Sequence, residues 1–399
     1  MGKPATAGGD IPLSLYVHLP WCVRKCPYCD FNSHEAGAGL PAEARYTDAL
    51  IRDLRHQRPQ AGERPLHSIF FGGGTPSLFG AAALGRFLAA VRAEFDLEPG
   101  IEITLEANPG TVEAERFGAY RALGINRLSL GMQSLSDRML KKLGRIHSAA
   151  EAMAAVATTR AAGFENFNLD CMYALPGQAT AEALDDLRGL LALAPAHLSW
   201  YQLTIEPNTL FHHQPPPLPG EESVEEMEQA AGPLFARHGF ERYEVSAWCP
   251  PGRESRHNLN YWRFGDYLGV GAGAHGKLTD PASGRIVRAA RHRLPERYMQ
   301  LAGNDEVAVQ RREPVGDDLV FEFMLNALRL RRGFSLELFR QRTGLSPACL
   351  ERGLETAVAR GLLSRTNDHL QPTARGFVYL NDLVGLFLAA ERMPARASV

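Results

Sequence analysis

The chain has 399 residues, of which 45% are hydrophobic and 22% are charged, a composition typical of an ordinary globular protein. Its 43 basic and 45 acidic side chains leave a net charge of −2, which argues against a general role in binding nucleic acid or an anionic membrane. No apolar run reaches the roughly 18–20 residues that a membrane-spanning helix needs. Three of the six cysteines lie within eight positions, which indicates a metal centre in a reducing compartment. We therefore expect a cytoplasmic protein, with residues 1–10 as a disordered lead-in that lacks the apolar core of a secretory signal.

From Ser14 onward the sequence alternates short β-like runs with amphipathic helical patterns. The helical patterns include 42–57, 82–95 and 111–124, and glycines stand where such helices would end. Six βα units in series predict a parallel sheet with helices outside, curled by right-handed crossovers into a full or partial (β/α) barrel. The predicted strands are 14–19, 67–71, 101–107, 127–132, 166–173 and 197–205.

The barrel is predicted to span residues 11–248, and the alternation fades after it. The proline-rich stretch 208–223 breaks the pattern and is predicted to be a surface excursion before the next helix. Residues 249–313 are predicted to connect the barrel to a C-terminal domain, and they carry the motifs HNLNYW and GAGAHG. Residues 314–399 read as helix, short hairpin and helix, which predicts that this domain is mainly helical and winged-helix-like. Because it lacks a basic recognition face, we interpret it as a packing or lid module that does not bind nucleic acid.

A cysteine-rich loop, HLPWCVRKCPYCDFN, follows the first predicted strand and holds Cys22, Cys26 and Cys29. Three cysteine ligands in place of four leave one iron of a [4Fe–4S] cluster open. That iron is where the amino and carboxylate groups of S-adenosylmethionine (SAM) would chelate, so the chemistry would belong to the cofactors. The alternative is a zinc site completed by His18 or His34. The position after strand one, at the face where parallel barrels place their chemistry, favours the cluster.

Polar residues stand at the carboxyl ends of the later strands, which converge on one cavity in a barrel. In FFGGGTPS, Gly73 and Gly74 let the backbone approach a ligand closely, and Thr75 adds a hydroxyl group. Glu106 and Gln133 end the third and fourth predicted strands. The alternative interpretations are a plain turn for the glycines and loop-ordering hydrogen bonds for Glu106 and Gln133.

Asp170 lies inside the apolar run FNLDCMYALP, where a carboxylate is costly unless it is paired or bound to a ligand. Arg145 follows the fourth strand and would pair with Asp170 or with a ligand carboxylate, although it would also suit a plain surface position. The isolated cysteines Cys171, Cys249 and Cys349 are interpreted as small apolar fillers.

Six motifs together resemble the oxygen-independent coproporphyrinogen III oxidase group of radical SAM proteins, and more closely its HemW branch of haem chaperones. They are YVHLPWCVRKCPYCDFN, FFGGGTPS, TLEANP, RLSLGMQS, NLDCMYALPGQ and HNLNYWRFGDYLGVGAGAHGK. The resemblance covers essentially the whole chain and implies an incomplete (β/α)6 barrel with a C-terminal helical domain. It also implies a [4Fe–4S] cluster on the three cysteines, with Tyr28 against the adenine of SAM. The residues that match the family's SAM-holding positions are Tyr16, Gly73, Gly74, Thr75, Glu106, Gln133, Arg145 and Asp170.

Two departures separate the chain from the oxidases that it resembles. Those enzymes carry a further cysteine two positions past the third, where Phe31 stands here, and a longer N-terminal extension, whereas 15 residues precede Tyr16. HNLNYW (257–262) is typical of the haem-chaperone branch. The resemblance therefore implies a chaperone that carries haem as cargo and passes it to an unidentified acceptor protein. Anaerobic decarboxylation of coproporphyrinogen III is the alternative, and a radical SAM enzyme with another substrate is a third possibility.

The residues themselves offer several candidates for contact with haem. His257 would ligate the iron, with Tyr261 and Trp262 as flat apolar surface for the macrocycle. The alternative for His257 is a structural hydrogen bond to a loop carbonyl. His275 is a second candidate, although its glycine-rich setting suggests closeness to SAM. The arginine-rich stretch 285–297 would pair with haem propionates or form a solvated face.

Overall fold

The computed structural model describes residues 11–36, 42–110 and 116–388 of the chain. The predicted lead-in, residues 1–10, lies outside the described residues, as do the last residues of the predicted C-terminal domain and the start of the predicted helix 111–124. No described helix is both long and apolar enough to cross a membrane.

The described chain alternates strands and helices from its start to the end of the barrel region. In chain order the strands are β1 (Leu13–Leu19), β2 (Trp21–Cys22), β3 (His34–Glu35), β4 (Leu66–Gly73), β5 (Leu97–Ala107), β6 (Arg127–Gln133), β7 (Phe167–Tyr173), β8 (His197–Gln202), β9 (Glu241–Arg242), β10 (Ala247–Cys249), β11 (Asp266–Val270), β12 (His275–Thr279), β13 (Ile286–Arg291), β14 (Ala308–Arg312), β15 (Phe334–Ser335), β16 (Leu363–Thr366) and β17 (His369–Pro372). The helices are α1 (Glu43–Ala61), α2 (Ala81–Glu94), α3 (Phe117–Ala122), α4 (Asp137–Lys142), α5 (Ala149–Ala161), α6 (Thr180–Ala192), α7 (Leu210–His213), α8 (Glu221–Arg237), α9 (Arg256–Trp262), α10 (Pro295–Leu301), α11 (Gly316–Ala327), α12 (Leu336–Thr343), α13 (Glu351–Ala359), α14 (Ala374–Val378) and α15 (Leu380–Gly385).

One mixed sheet of twelve strands organises the described chain, in the order β14-β13-β12-β11-β1-β4-β5-β6-β7-β8-β10-β9. The six strands predicted from the βα alternation are β1 and β4 to β8, and they stand side by side in chain order and parallel. β14 and β9 are at opposite ends of this order, so the sheet stays open. The predicted incomplete (β/α)6 barrel is therefore confirmed.

The boundaries of several elements differ from their predicted ends. β5 begins at Leu97 rather than at residue 101, because Leu97 still pairs with Leu66 of β4 before the register shifts. β8 ends at Gln202, the last partner of β7, so the predicted strand was three residues too long.

The segment 249–313, predicted only as a connection, contains α9 and four strands of the main sheet. β11 lies parallel to β1 and extends the barrel sheet by a seventh parallel strand. Asp266 anchors this extension, since its buried carboxylate accepts hydrogen bonds from Lys277 Nζ at 2.7 Å and Arg64 Nη1 at 2.7 Å. The domain borders near residues 248 and 313 stay predictions.

The C-terminal module has its own apolar core, which includes Phe323, Phe334 and Phe339 and also takes in Phe264 and Ile286 from the segment before it. α13, the β16–β17 hairpin, α14 and α15 follow one another, which confirms the predicted helix, hairpin and helix. The three-stranded sheet β15-β17-β16 completes the winged-helix-like arrangement.

Candidate functional site

A cavity of about 390 Å³ opens at the carboxyl ends of the parallel strands and is named the site cavity. It brings together the three clustered cysteines and nearly all of the residues predicted to hold SAM. The predicted residues on its walls are Cys22, Cys26, Cys29, Tyr28, Gly73, Gly74, Thr75, Glu106, Gln133, Arg145 and Asp170.

Tyr16 is the predicted SAM residue that does not line the site cavity. Its ring stacks on Phe70 with 6.3 Å between the centroids, and its hydroxyl lies 3.0 Å from His18 Nδ1. A Cβ atom added to Gly72 would lie 3.0 Å from the Tyr16 ring. Tyr16 therefore supports the glycine turn from behind.

The backbone of the glycine turn holds the cysteine loop in place. Gly74 N donates to Leu19 O at 2.8 Å, and Thr75 N donates to Trp21 O at 2.7 Å. A Cβ atom on Gly74 would lie 2.5 Å from Trp21 O, so a larger residue would force the two segments apart. The glycines are therefore required by the close approach of the two loops and are not a plain turn.

The three thiols are close enough to influence one another electrostatically. Burial raises the pKa of Cys22 to about 11, and the neighbouring Cys29 and Cys26 add to this rise. Burial likewise raises the pKa of Cys29. Three crowded, partly desolvated thiols are poorly suited to carrying free negative charge, which favours a cationic centre that would accept them as ligands.

One of the two histidines of the zinc alternative already has both ring nitrogens engaged. His18 has both ring nitrogens engaged, Nδ1 with the Tyr16 hydroxyl at 3.0 Å and Nε2 with Asn32 O at 2.9 Å. Within the described ranges, no three His, Cys, Asp or Glu side chains, including His34, converge as ligands of a single ion. A cluster does not need that convergence, because each cysteine binds a different iron.

Arg145 lies between the cysteine loop and the ends of the strands. It donates to Asn108 Oδ1 at 2.6 Å and to Gly131 O at 2.8 Å, and its Nη1 is 3.8 Å from Cys26 Sγ. The predicted direct pairing with Asp170 is not among these contacts. Arg145 Nε is buried without a hydrogen-bond partner, so a donor remains available beside the cysteines for an anionic ligand.

Two carboxyl groups face one another across the site cavity. Burial and the charge of Asp170 raise the pKa of Glu106 to about 8, although Gly73 N donates to Glu106 Oε2 at 3.1 Å. Burial raises the pKa of Asp170 too, against hydrogen bonds from Asn168 Nδ2 at 2.8 Å and Ser129 Oγ at 3.2 Å. A cationic ligand group between them would relieve this repulsion, which fits the sulfonium and ammonium groups of SAM.

Sequence reasoning missed several polar residues on the cavity wall, among them Asn108 and Tyr201. Asn108 Nδ2 donates to Thr75 Oγ1 at 2.8 Å, so with its bond to Arg145 it joins three strand ends. Tyr201 donates to Gln133 Oε1 at 2.9 Å. Both lie at carboxyl ends of predicted strands, and the rule that selected Glu106 applied equally to them.

The structure argues against His257 as a haem ligand. Its side chain is 1% exposed, with Nδ1 2.8 Å from Ser68 Oγ and Nε2 3.0 Å from the Tyr261 hydroxyl. Iron ligation would break one of two buried hydrogen bonds. These contacts agree with the alternative interpretation of His257, a structural hydrogen bond. The partners are hydroxyl groups, however, and not the loop carbonyl that was expected. Trp262 lines the site cavity, with the Arg329 guanidinium 4.2 Å from its ring centre.

His275 is exposed and lies in a separate cavity of about 270 Å³, so it does not reach the SAM site. The arginines of the predicted propionate-binding stretch mostly pair with carboxylates of the chain itself. Arg288 bonds Glu322 at 2.8 Å and Arg291 bonds Asp53 at 3.1 Å. These two arginines therefore tie β13 to the rest of the fold.

Comparison with known proteins assigns the family. A model described as the radical SAM superfamily matches residues 16–189, and one described as the HemN C-terminal domain matches residues 316–379. The chain is 46% identical over 384 residues to the heme chaperone HemW of Haemophilus influenzae, covering 95% of this chain and 99% of that relative. The chain belongs to the HemW family. It is also 46% identical over 378 residues to HemW of Escherichia coli, covering 95% and 98% of the two chains.

A solved structure extends the likeness to the whole fold of this HemW family member. The coproporphyrinogen III oxidase HemN of Escherichia coli, described as a radical SAM enzyme, superposes with a TM-score of 0.80 at 23% identity. The superposition covers 95% of this chain and 90% of HemN. This match confirms the predicted barrel and C-terminal domain, and at this identity it concerns the fold alone.

Proposed function

We propose that this HemW family member binds haem and transfers it to an acceptor protein, and that it carries a SAM-ligated [4Fe–4S] cluster. The observation that carries the cofactor proposal is the joining of three thiols and a ring of polar strand-end residues in one cavity. The haem proposal is supported by relatives named as heme chaperones at 46% identity over nearly the full length. Phe31 in place of a fourth cysteine supports the chaperone over the oxidase.

The cluster would be held by Cys22, Cys26 and Cys29, and when bound with SAM it supplies one-electron reductive chemistry at an open iron. Arg145 is placed to offset the negative charge of the thiolates, because its Nη1 lies 3.8 Å from Cys26 Sγ. Tyr28, half-buried beside Phe211 of the proline-rich excursion with 6.4 Å between the rings, provides flat apolar surface for an adenine.

The polar residues of the cavity would orient SAM rather than react with it. Glu106 and Asp170 attract its cationic groups, and the unpartnered Arg145 Nε offers a donor to its carboxylate. Gly73 and Gly74 contribute by letting the cysteine loop pack directly on their backbone, because a Cβ atom on either would meet Leu19 O or Trp21 O. Burial of these groups excludes water and strengthens each interaction.

The cysteine assignment is tested by Cys22→Ala, Cys26→Ala and Cys29→Ala after anaerobic reconstitution with iron and sulfide. Each variant should lose the iron–sulfur absorbance and the EPR signal of the reduced cluster, because a thiolate ligand is gone. Cys349→Ala is the matched control, since Cys349 is exposed and isolated. A triad variant that never takes up iron but keeps stoichiometric zinc would overturn the assignment.

The haem assignment is tested on the same reconstituted preparation by haemin titration and by an anaerobic assay with coproporphyrinogen III, SAM and reductant. We expect a haem-dependent Soret band and no protoporphyrinogen. Formation of protoporphyrinogen would favour the oxidase. SAM cleavage with both porphyrin compounds inert would favour a different substrate.

The proposed acceptor is a protein that can bind the transferred haem. A cytoplasmic location is proposed as well, supported by the free state of the cysteines among the described residues. Transfer is measured by mixing the haem-loaded protein with an apo-haemoprotein and following the Soret shift.

A further inference from the structure

A second cavity, of about 360 Å³, lies on the other side of the cysteine loop and is named the outer cavity. It shares five wall residues with the site cavity: Arg24, Cys26, Thr75, Asn108 and Arg145. The two cavities therefore meet at a cysteine that is proposed to bind the cluster. A ligand in the outer cavity would lie next to that cluster without occupying the SAM position.

The outer cavity has two exposed aliphatic side chains in its wall. Val23 is 53% exposed and Ile146 is 62% exposed, and both line it together with Leu78 and Pro109. Single exposed aliphatic side chains are common on protein surfaces. Two that share one cavity with the apolar side chains of Leu78 and Pro109 indicate a surface that an apolar ligand covers.

A buried histidine with a spare nitrogen stands in the wall of the outer cavity. His147 is 6% exposed, and its Nε2 donates to Met132 O at 3.2 Å, so the lone pair is on Nδ1. Nδ1 is buried and has no hydrogen-bond partner. Burial and the charge of Arg145 lower the pKa of His147 to about 4, so the ring is neutral at pH 7. A neutral imidazole whose other nitrogen is fixed by a carbonyl is the form that ligates metals.

Charged groups at the rim bear on the kind of ligand. Arg24 is exposed and lines the outer cavity, where it suits a carboxylate. Glu151 also lines it, but its carboxylate is held by Ser148 N at 2.8 Å and Ser148 Oγ at 2.9 Å as the capping box of α5. The cavity thus combines apolar walls, two arginines, Arg24 at the rim and Arg145 on the side of the cysteines, and one unpartnered imidazole nitrogen.

We propose that the outer cavity binds an iron porphyrin, with His147 as the iron ligand and Arg24 as the partner of a propionate. The inference rests on the proposed haem function and names the place where haem binds. It replaces His257, whose two nitrogens are engaged, by a histidine with a free one. Haem at this position would lie beside the cluster, separated from SAM by Cys26 and Arg145.

The test is haemin titration of the full-length, anaerobically reconstituted protein, with absorbance and EPR readouts. His147→Ala should weaken haemin binding about tenfold or more and abolish the imidazole-ligated spectrum, as loss of a metal contact does. Added free imidazole should restore that spectrum. His238→Ala is the matched control, because His238 is exposed on the surface after α8 and should leave both readouts unchanged.

Metal-free protoporphyrin IX separates ligation from mere packing. His147→Ala should leave the affinity for protoporphyrin IX unchanged, since only the iron bond is lost. A structural role of His147 would instead lower both affinities, and that result would overturn the ligand assignment.

A second pair of variants tests the cavity without touching the histidine. Val23→Asp places a carboxylate on the apolar wall and should weaken both haemin and protoporphyrin IX binding. Val309→Asp, at an equally exposed valine (53% for each) outside the cavity, should not. If His147→Ala does not fold or does not retain its cluster absorbance, the comparison of Val23→Asp with Val309→Asp decides whether the porphyrin binds in the outer cavity.

The outcomes distinguish the inference from the function on which it rests. No haemin binding by the wild-type protein would refute the proposed function and the inference with it. Haemin binding that is identical in wild type, His147→Ala and Val23→Asp would refute the inference alone.

Discussion

Glu106 is partly buried in the wall of the site cavity, as is Asp170, and its pKa is raised to about 8 from an ordinary value of 4.5. The folded protein therefore holds this proton more tightly than the unfolded chain does. Between those two values the folded state binds more protons, so its stability falls as pH rises. In the cluster-free protein, Glu106→Gln should stabilise the fold increasingly from pH 5 towards pH 9.

Urea unfolding of wild type and Glu106→Gln at both ends of that range measures the effect. Glu306→Gln, at an exposed position, is the control, and its free energy of unfolding should differ from that of the wild type by the same amount at both pH values. If Glu106→Gln raised the free energy of unfolding by the same amount at both pH values, the Glu106 carboxyl group would not titrate between them.

His257 is a second residue whose burial defines its role. His257→Ala would remove the hydrogen bond of the Tyr261 hydroxyl, whereas Ser68 Oγ would keep Ser14 Oγ at 2.8 Å. Leaving a buried polar group unpaired costs about 1–3 kcal/mol. We expect urea unfolding to show a loss in this range while haemin affinity is retained. Loss of haemin binding with unchanged stability would instead restore His257 as the ligand.

At the scale of elements, the sequence predicted those strands and site residues whose pattern lies within a short stretch of the chain. The strand runs and the CxxxCxxC spacing lie within short windows, so β1, β4 to β8 and the joining of the three cysteines at one cavity followed from the pattern alone. β11 to β14 did not, because Gly269 and Gly271 interrupt the apolar pattern and the partner of β11 is more than 240 residues away in β1. Gly269 lies so close to β12 that a Cβ atom there would be 2.0 Å from His275 O.

The same limit explains why the sequence left two interpretations open for His257 and did not single out His147. His257 stands next to aromatic residues in sequence, which suggested a haem surface, but its hydrogen-bond partner Ser68 comes from β4. Whether a histidine nitrogen has a hydrogen-bond partner depends on residues that are distant in the sequence. The spacing of residues within a local motif does not identify them. His147 has a nitrogen without a partner for the same reason, and nothing in GRIHS indicates it.

The turn after α4 packs against the cysteine loop and gives a prediction at this scale. Gly144 has φ of +68°, and a Cβ atom there would lie 2.7 Å from Pro27 Cδ, between two proposed cluster ligands. Gly144→Ala should cost about 1–2 kcal/mol through the left-handed backbone and should also displace the cysteine loop. We therefore expect faster loss of the cluster to a chelator.

Gly163→Ala is the matched control for that variant. Gly163 also has positive φ, +83°, but nothing lies within 4 Å of its added Cβ atom. It should show the loss of stability without the faster loss of cluster absorbance. Equal cluster lifetimes in the two variants would show that the turn does not position the loop.

At the scale of the whole molecule, the barrel and the C-terminal module have separate apolar cores, and the segment between them contributes to the core of the module. Phe264 follows α9 in the segment after the barrel, yet it packs in the core of the module, 5.5 Å from the ring of Phe323. Lys277 Nζ lies 4.4 Å from the centre of the Phe264 ring and bonds Asp266 of β11. One aromatic side chain thus joins the extended sheet to the C-terminal module.

Phe264→Ala should therefore lower the free energy of unfolding by about 3–5 kcal/mol, as other buried Phe→Ala changes do, and should release the module before the barrel. Peptide-resolved hydrogen exchange would show faster exchange first in residues 316–388. Phe87→Ala removes a ring of equal burial, 1% exposed, within the barrel core, and should cost a similar amount while barrel peptides exchange first. If Phe264→Ala raised exchange evenly through both cores, the two parts would unfold as a single unit, and Phe264 would be an ordinary core residue rather than the link between them.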